Sequence, residues 1–248
     1  MSVLAFIVSF LMGYILGAFP TGFFAGKLWG VDVRKHGSGR TGGTNVLRSA
    51  GWGAFAITFI GDVFKGALSV WLSRWLFPEN VEAPIFAVLG ALVGHNWSVW
   101  IAILSKPDPR VTFAPPPLGW FQRVAQQGCG GAGVAPTVGA VFALFPPIVL
   151  IMALPILLIL IITRYASVAS LSIAIASPLV MLYFVLNGQA QWQAPWSYLF
   201  LNLVGSIVLV IVHIPNIQRL RAGTEKKFGQ RLGQRTPRDK TDNPVGPS

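Results

Sequence analysis

Long apolar segments alternate with shorter polar segments along most of this chain. An α-helix needs about 20 predominantly apolar residues to cross the hydrocarbon core of a bilayer. Several segments approach or exceed that length, so the pattern predicts an all-α, polytopic integral membrane protein. The predicted membrane-spanning helices cover approximately residues 3–29, 52–77, 83–104, 165–186 and 196–212.

Residues 134–163 form a further apolar segment, which is interrupted by Pro146, Pro147 and Pro155. Lys and Arg are concentrated in the loop 32–50 and in the tail after residue 212, and such residues favour the cytoplasmic side. If both are cytoplasmic and the N-terminus is outside, the number of crossings must be odd. We therefore interpret the interrupted segment as two short helices. The total is then about seven transmembrane helices with a cytoplasmic C-terminus, whereas one helix there would give six.

The segment 105–133 is predicted to be a long cytoplasmic loop. Its part 106–127 contains three consecutive prolines and shows no periodicity, so we interpret it as an atypical insertion. Residues 1–234 are predicted to form a single transmembrane domain, and the polar residues 235–248 a disordered tail. The N-terminal segment lacks a basic n-region and a clear cleavage site, so we expect a retained span rather than a signal peptide.

Composition supports the membrane assignment and narrows the function. The chain is 53% hydrophobic and only 11% charged, whereas about 25% of an average soluble domain is charged. Its net charge of +11 is explained by basic loops on the cytoplasmic side, and no nucleic-acid-binding module is present. The single cysteine, Cys129, excludes an intramolecular disulfide.

A glycine-rich polar stretch, residues 37–48, carries the first candidate chemistry. Glycine readily adopts positive φ, so successive backbone N–H groups can converge on an anion. Ser38, Thr44 and Asn45 add short polar side chains, and Arg40 and Arg48 add positive charge. The stretch predicts a phosphate-binding loop. A flexible basic loop that faces anionic lipid headgroups is the alternative.

Ionisable residues also occur inside two predicted spans. Asp62 and Lys65 lie three residues apart on one face of the second span, about 14 Å from its cytoplasmic end. His95 and Asn96 lie at a similar depth in the third span. Charged groups at such depth must face protein or water. We therefore expect Asp62, Lys65 and His95 to share one cavity, and a structural, hydrogen-bonded histidine is the alternative for His95.

The basic tail begins with a second group of polar residues. Pro215 is expected to end the last span and to start an interfacial helix. On that helix His213 and Asn216 share a face, which Arg219 extends. A histidine at the end of a span is also a common interfacial residue, and this second interpretation stays open here.

These motifs resemble those of the membrane acyl-phosphate:glycerol-3-phosphate acyltransferases of bacteria, the PlsY family. The resemblance covers nearly the whole chain, and its first and last motifs are the most specific. In chain order the motifs are Gly37-Ser38-Gly39, Thr44-Asn45-Val46-Leu47-Arg48, Asp62 with Lys65-Gly66, Gly94-His95-Asn96, Gly130-Gly131-Ala132-Gly133-Val134-Ala135, and the set His213, Asn216, Arg219, Gly223 and Glu225.

The resemblance implies a seven-span enzyme of the bacterial inner (plasma) membrane with its active site at the cytoplasmic face. The implied reaction transfers an acyl group from acyl phosphate to the 1-hydroxyl of sn-glycerol 3-phosphate, giving lysophosphatidic acid and phosphate. This is the first step of phospholipid synthesis. No cofactor, metal, acyl-CoA or direct acyl-carrier donor is implied. The implied partners are both substrates, membrane lipid and, through functional coupling, an enzyme that produces acyl phosphate; nucleic acid is not a partner.

The resemblance also implies roles for individual residues. Ser38, His213 and Asn216 are the implied catalytic residues. Arg48 is implied to bind substrate phosphate with Ser38, Asn45 to orient a substrate, and Glu225 to brace the tail. The complete set implied to bind substrate is Gly37, Gly39, Thr44, Asn45, Arg48, Lys65, His95, Gly130, Gly131, Arg219 and Glu225.

The chain departs from the family pattern at three positions. Basic residues normally flank the central glycine pair, and here Cys129 and Ala132 occupy those places. Arg40 stands where asparagine is common. Arg110 or Arg123 of the insertion are candidates to restore the missing charge. Three alternatives therefore remain beside an active acyltransferase: a catalytically weakened family member, a membrane transporter, and a lipid-binding scaffold.

Overall fold

The computed structural model describes residues 2–105, 111–188 and 195–230, and this part of the chain is almost entirely helical. It contains no β-strand, only an isolated antiparallel bridge between Trp97 and Cys129. The predicted all-α fold is therefore confirmed, whereas the predicted tail 235–248 lies outside the described residues. The α-helices are α1 Ser2–Ala18, α2 Thr21–Leu28, α3 Gly43–Ala50, α4 Trp52–Leu76, α5 Ala83–Asn96, α6 Val99–Leu104, α7 Leu118–Gln127, α8 Val134–Leu144, α9 Pro146–Thr163, α10 Ala166–Asn187, α11 Trp196–Val212 and α12 Ile214–Arg221.

The helices have the length and apolarity of a multi-pass membrane protein. In the described residues, four stretches are long and apolar enough to cross a bilayer: Val3–Leu28, α4, α9 and α10. The pair α11 and α12, bent by 53°, makes a fifth candidate, and α5 and α8 are shorter apolar helices. The predicted polytopic membrane architecture agrees with this arrangement.

The first predicted span was expected to be one continuous helix, and the structure shows instead that it is interrupted. Helix α1 ends at Ala18 and α2 begins at Thr21, because Pro20 has no N–H to continue the hydrogen-bond ladder. The interruption frees two carbonyl groups. That of Ala18 accepts a hydrogen bond from the Ser98 hydroxyl, and that of Phe19 faces the interior of the protein.

The third predicted span is also interrupted. Helix α5 ends at Asn96 and α6 begins at Val99, so the expected continuous helix over 83–104 was wrong in its last third. Ser98 explains the break, since its hydroxyl accepts from the Ile101 N–H at 3.1 Å and caps α6. Its own N–H donates to the Gly128 carbonyl at 2.8 Å.

Helices α1 and α5 pack backbone to backbone through two small-residue motifs. A Cβ added at Gly13 or Gly17 would collide with the backbone of α5, and one added at Gly90 or Gly94 with the backbone of α1. Each pair of glycines is four residues apart, the spacing that lets transmembrane helices approach closely. This contact places the C-terminal end of α5 against the break between α1 and α2.

The proline-interrupted segment forms two helices, as predicted. They are α8 and α9, and the break falls at Phe145 while Pro155 lies inside α9. Arg74, a basic residue near the predicted external end of α4, hydrogen-bonds the carbonyls of Ala143 and Leu144 at 2.8 and 2.9 Å. It therefore satisfies the last carbonyls of α8, which gives this charge a local structural cause.

The insertion is partly helical, contrary to expectation. Helix α7 starts directly after the proline run, where a fixed φ favours helix initiation. Arg123 on this helix donates to the Ser105 carbonyl at 2.7 Å and lies over the Trp120 ring. These contacts anchor α7 to the end of α6, so Arg123 does not restore charge at the glycine pair. Arg110 lies outside the described residues.

Candidate active site

A buried polar cluster surrounds Asp62 in the middle of the helix bundle. The Lys65 ammonium lies 2.8 Å from the Asp62 carboxylate, and Nδ1 of His95 lies 3.8 Å from the same oxygen. Thr21 donates a hydrogen bond to Asp62, and Lys65 donates to the freed carbonyl of Phe19 at 2.7 Å. The structure thus brings Asp62, Lys65 and His95 together, as predicted. Thr21 was not identified from the sequence, although Pro20 beside it indicates a break in the helix.

Asn45 organises the glycine-rich loop from inside. Its side-chain oxygen accepts from the Ser38 N–H at 3.1 Å. Its amide nitrogen lies 3.0, 3.1 and 2.8 Å from the carbonyls of Val33, His36 and Arg40. Because these backbone groups use the amide, Asn45 shapes the loop. Its implied role in orienting a substrate stays a prediction.

The backbone of this loop presents Ser38 to the outside. Gly37 and Gly39 have φ of 58° and 71°, values in the left-handed region that favours glycine. Ser38 between them is exposed. Thr44 follows in the first turn of α3, whose N-cap Gly42 has no side chain to cap the helix. The loop therefore offers free polar groups and a helix N-terminus at the same place.

Asp32 and Arg34 fasten the start of the loop. Arg34 forms a two-pronged contact with the Asp32 carboxylate at 2.9 and 3.0 Å, and it also donates to the Leu104 carbonyl and the Ser105 hydroxyl. The hydrogen bonds from Arg34 lower the pKa of Asp32 from its ordinary value to about 2. The carboxylate is therefore ionised throughout the physiological range, and the brace between the loop and α6 persists.

The central glycine pair lets three segments touch. The Gly130 N–H donates to the Asn96 carbonyl at 3.2 Å. A Cβ on Gly131 would overlap the His95 imidazole, and a Cβ on Gly42 would come 2.9 Å from the Gly131 Cα. The predicted substrate-binding residues Gly130 and Gly131 thus hold the glycine-rich loop, α5 and the chain before α8 in contact. Their contribution is close packing.

His213 lies at the bend that follows α11, and it is buried. Its Nδ1 is 2.8 Å from the Leu209 carbonyl. A carbonyl only accepts, so Nδ1 carries the proton and Nε2 of the neutral ring has a free lone pair. Burial lowers the pKa of His213 below its ordinary value, which keeps the imidazole neutral at neutral pH. The ring is therefore prepared to accept a proton at Nε2.

Glu225 ties the tail together. Its Oε1 accepts from Asn216 at 2.9 Å and from the Ser167 hydroxyl at 3.1 Å, and its Oε2 accepts from Arg219 at 2.7 Å. Asn216 and Arg219 thus share a face of α12, as predicted, and both meet one buried carboxylate. Ser167 belongs to α10 and was not identified from the sequence. The network fixes α12, and with it His213, against the bundle.

Arg48 joins the glycine-rich loop to this tail. It donates to the Lys226 carbonyl at 3.0 Å, and its Nε is buried without a hydrogen-bond partner in the described part of the chain. Burial lowers the pKa of Arg48, and the Glu225 carboxylate partly opposes that shift. A guanidinium this basic remains charged. Its unused donor makes it a suitable ligand for an anion.

An apolar cavity of about 190 Å³ lies beside this polar region. It is lined mainly by aliphatic side chains of α5, α8, α9, α10 and α11, with Ser177 and Asn202 as a hydrogen-bonded pair in its wall at 2.6 Å. Leu209 also lines it. The carbonyl of this residue also accepts a hydrogen bond from His213, so one residue contacts both the cavity and the candidate base.

Comparison with known proteins agrees with this geometry. The family described as glycerol-3-phosphate acyltransferase matches residues 7–223. A glycerol-3-phosphate acyltransferase of Rubrobacter xylanophilus is 36% identical over 223 residues, which are 90% of this chain and 95% of the relative. Another, from Gloeobacter violaceus, is 37% identical over 221 residues, covering 87% of this chain and 91% of the relative.

Solved structures of PlsY (YgiH), an integral membrane glycerol 3-phosphate acyltransferase, have the same fold. The glycerol 3-phosphate form superposes with a TM-score of 0.70 at 29% identity and covers 90% of this chain and 95% of its own. The lysophosphatidic acid form gives a TM-score of 0.68 at 28% identity, with coverage of 90% and 94%. The chain therefore belongs to the glycerol-3-phosphate acyltransferase family of multi-pass membrane enzymes.

Proposed function

We propose that this enzyme transfers an acyl group from acyl phosphate to the 1-hydroxyl of glycerol 3-phosphate and releases lysophosphatidic acid and inorganic phosphate. The observation that carries the proposal is that Leu209 both lines the apolar cavity and accepts the hydrogen bond that holds His213. A substrate with a long apolar chain and an anionic reacting end fits such a site. The glycerol 3-phosphate and lysophosphatidic acid forms of the similar solved structures support the acceptor and the product.

The reaction requires one acyl transfer. The acceptor hydroxyl oxygen attacks the carbonyl carbon of acyl phosphate, the bond from that carbon to the phosphate oxygen breaks, and phosphate leaves with the bonding electrons. The hydroxyl proton moves to Nε2 of His213, and the resulting imidazolium is stabilised by its Nδ1 contact with Leu209 and by the charge of Glu225. Phosphate is a good leaving group, so orientation supplies much of the acceleration.

The other site residues divide between direct contact and support. Ser38 and Arg48 bind substrate phosphate, with Thr44 at the same end of α3. Lys65 and His95 form the inner wall. The residues that hold these groups in place are Gly37, Gly39, Asn45, Gly130, Gly131, Asn216, Arg219 and Glu225.

The activity is tested with purified protein in detergent, acyl phosphate and glycerol 3-phosphate, by measuring phosphate release and lysophosphatidic acid together. Equal amounts of both products, with release dependent on the acceptor, are expected; acyl-CoA is expected to be inert as donor. No acceptor-dependent product would overturn the proposal. His213→Gln is expected to lower kcat by about 10²- to 10⁴-fold. An unchanged kcat would assign the proton to the phosphate of the donor instead.

The proposed topology has seven spans, the N-terminus outside and the site at the cytoplasmic face of the bacterial plasma membrane, within a single domain 1–234. Acyl phosphate then arrives from a separate enzyme that produces it. Cys129 is the chain's only cysteine and is exposed beside the glycine pair. A membrane-impermeant maleimide is expected to label it in inverted vesicles but not in right-side-out vesicles, and Cys129→Ala is the control. Labelling from outside would contradict this orientation.

A further inference from the structure

Arg40 lies where the two halves of the candidate site meet. Two residues after it, Gly42 contacts Gly131, which itself lies against the His95 imidazole, and, after burial, the positive charge of Arg40 contributes to the lowered pKa of His213. Its backbone is fixed, because Asn45 donates to its carbonyl at 2.8 Å. The side chain is half-buried. Arg40 therefore occupies a defined position between the inner polar cluster and the tail.

Two other cations of the site have a counter-ion, and the guanidinium of Arg48 is engaged at one nitrogen only. Lys65 is paired with Asp62 and Arg219 with Glu225, and Arg48 donates to the Lys226 carbonyl. The guanidinium of Arg40, in contrast, forms no hydrogen bond or salt bridge with any residue that the structure describes. It is the uncommitted positive charge at the junction.

We propose that Arg40 binds the phosphate group of a substrate and supplies the positive charge that the neutral residues Cys129 and Ala132 do not. This inference rests on the proposed function and refines it. A half-buried cation without a counter-ion is unfavourable, and a phosphate dianion removes that penalty. The guanidinium presents a planar set of donors that matches phosphate oxygens. The N-terminus of α3, which follows Gly42, adds a favourable dipole.

Both substrates carry a phosphate, so kinetics with each substrate must separate the two sources. Arg40→Gln is expected to raise the KM for one substrate by about 10- to 100-fold, the effect of losing a charge-assisted hydrogen bond. An increase confined to glycerol 3-phosphate assigns Arg40 to the acceptor, and one confined to acyl phosphate assigns it to the donor. Arg40→Lys retains the charge and is expected to recover part of the affinity.

Lys35→Gln is the matched control, since Lys35 is an exposed cation of the same loop and its loss changes the net charge equally. It is expected to change either KM by less than about 2-fold, as weakly coupled surface charges do. Arg40→Gln with both KM values within the same limit would overturn the inference. A similar increase in the Lys35 variant would overturn it as well, because a general field effect would then explain the result.

A binding measurement keeps this inference separate from the proposed reaction. Inorganic phosphate is expected to raise the melting temperature of the wild-type protein and of Lys35→Gln by more than that of Arg40→Gln. The melting temperature without phosphate reports whether the variant is folded. Equal stabilisation by phosphate in the wild type and in folded Arg40→Gln would refute the role of Arg40. Absent acyl transfer by the wild type would refute only the reaction.

Discussion

The buried ion pair of Asp62 and Lys65 makes a sharp prediction about stability. Its atoms are 2.8 Å apart, and the two side chains are only 2% and 7% exposed. Removing one partner of such a pair costs about 3–5 kcal/mol because the other charge remains buried, whereas replacing both with neutral groups is often nearly neutral. For a chain of this size 1 kcal/mol corresponds to about 2–4 °C. Lys65→Met is therefore expected to lower the Tm by about 6–20 °C.

The assay is thermal unfolding in detergent, followed by the fluorescence of the 9 tryptophans. The double variant Asp62→Asn/Lys65→Met is expected to be more stable than Lys65→Met. Lys27→Met is the control, since Lys27 is half-exposed and 3.9 Å from Asp32, and such pairs contribute about 1 kcal/mol or less. The reasoning is refuted if Lys65→Met melts within about 2 °C of the wild type. It is also refuted if the Tm of the double variant falls by the sum of the decreases caused by Asp62→Asn and Lys65→Met alone.

Three further predictions concern the site. Burial lowers the pKa of His213 from its ordinary value of 6.5, so the neutral imidazole persists below that pH. The value of kcat/KM is therefore expected to stay constant down to pH 6.5 and to fall only at lower pH. A decrease of kcat/KM that begins above pH 7 would contradict this. Asn45→Ala is expected to speed amide hydrogen exchange in residues 33–42 by at least about 10-fold and to reduce activity. The control Asn80→Ala removes a cap of α5 and is expected to leave the exchange in residues 33–42 unchanged. Gly131→Ala is expected to reduce kcat/KM by at least about 10-fold, since its Cβ meets the His95 ring; an unchanged kcat/KM would contradict the close packing of Gly131 against this ring.

The helical architecture could be predicted because apolar length and proline position are local properties. The two helices over 134–163 followed from the prolines together with the odd number of crossings, and the α11–α12 bend followed from Pro215. The breaks at Phe19 and Trp97 were not predicted, although Pro20 and Ser98 lie beside them. The backbone groups at each break find partners far along the chain, since Lys65 uses the Phe19 carbonyl and Ser98 pairs with Gly128. Hydropathy carries no information about such partners.

The residue types of the candidate site were also visible in the sequence, but their tasks were not. Helix geometry correctly placed Asp62, Lys65 and His95 together. The spacing of the polar residues in the loop could not reveal that the Asn45 amide donates to backbone carbonyls. Nor could it show that Arg40 has no counter-ion among the residues that the structure describes, while Arg219 has one. Whether a polar group is free or engaged is a property of the folded chain.

The glycine contact between α1 and α5 fixes the register of the two helices, and with it the position of His95 in the candidate site. Two helices held by interlocked backbones can slide only in steps of about one turn, or 5.4 Å, because intermediate settings would force Cα atoms into collision. A step of α5 along α1 would also move α5 past α4, where the Asp62 carboxylate lies 3.8 Å from His95, and would take the imidazole out of its reach. The register of α5 against α1 thus determines where the inner-wall imidazole lies. A substitution at Gly13 or Gly90 is consequently expected to alter the active site, although both glycines are remote from it.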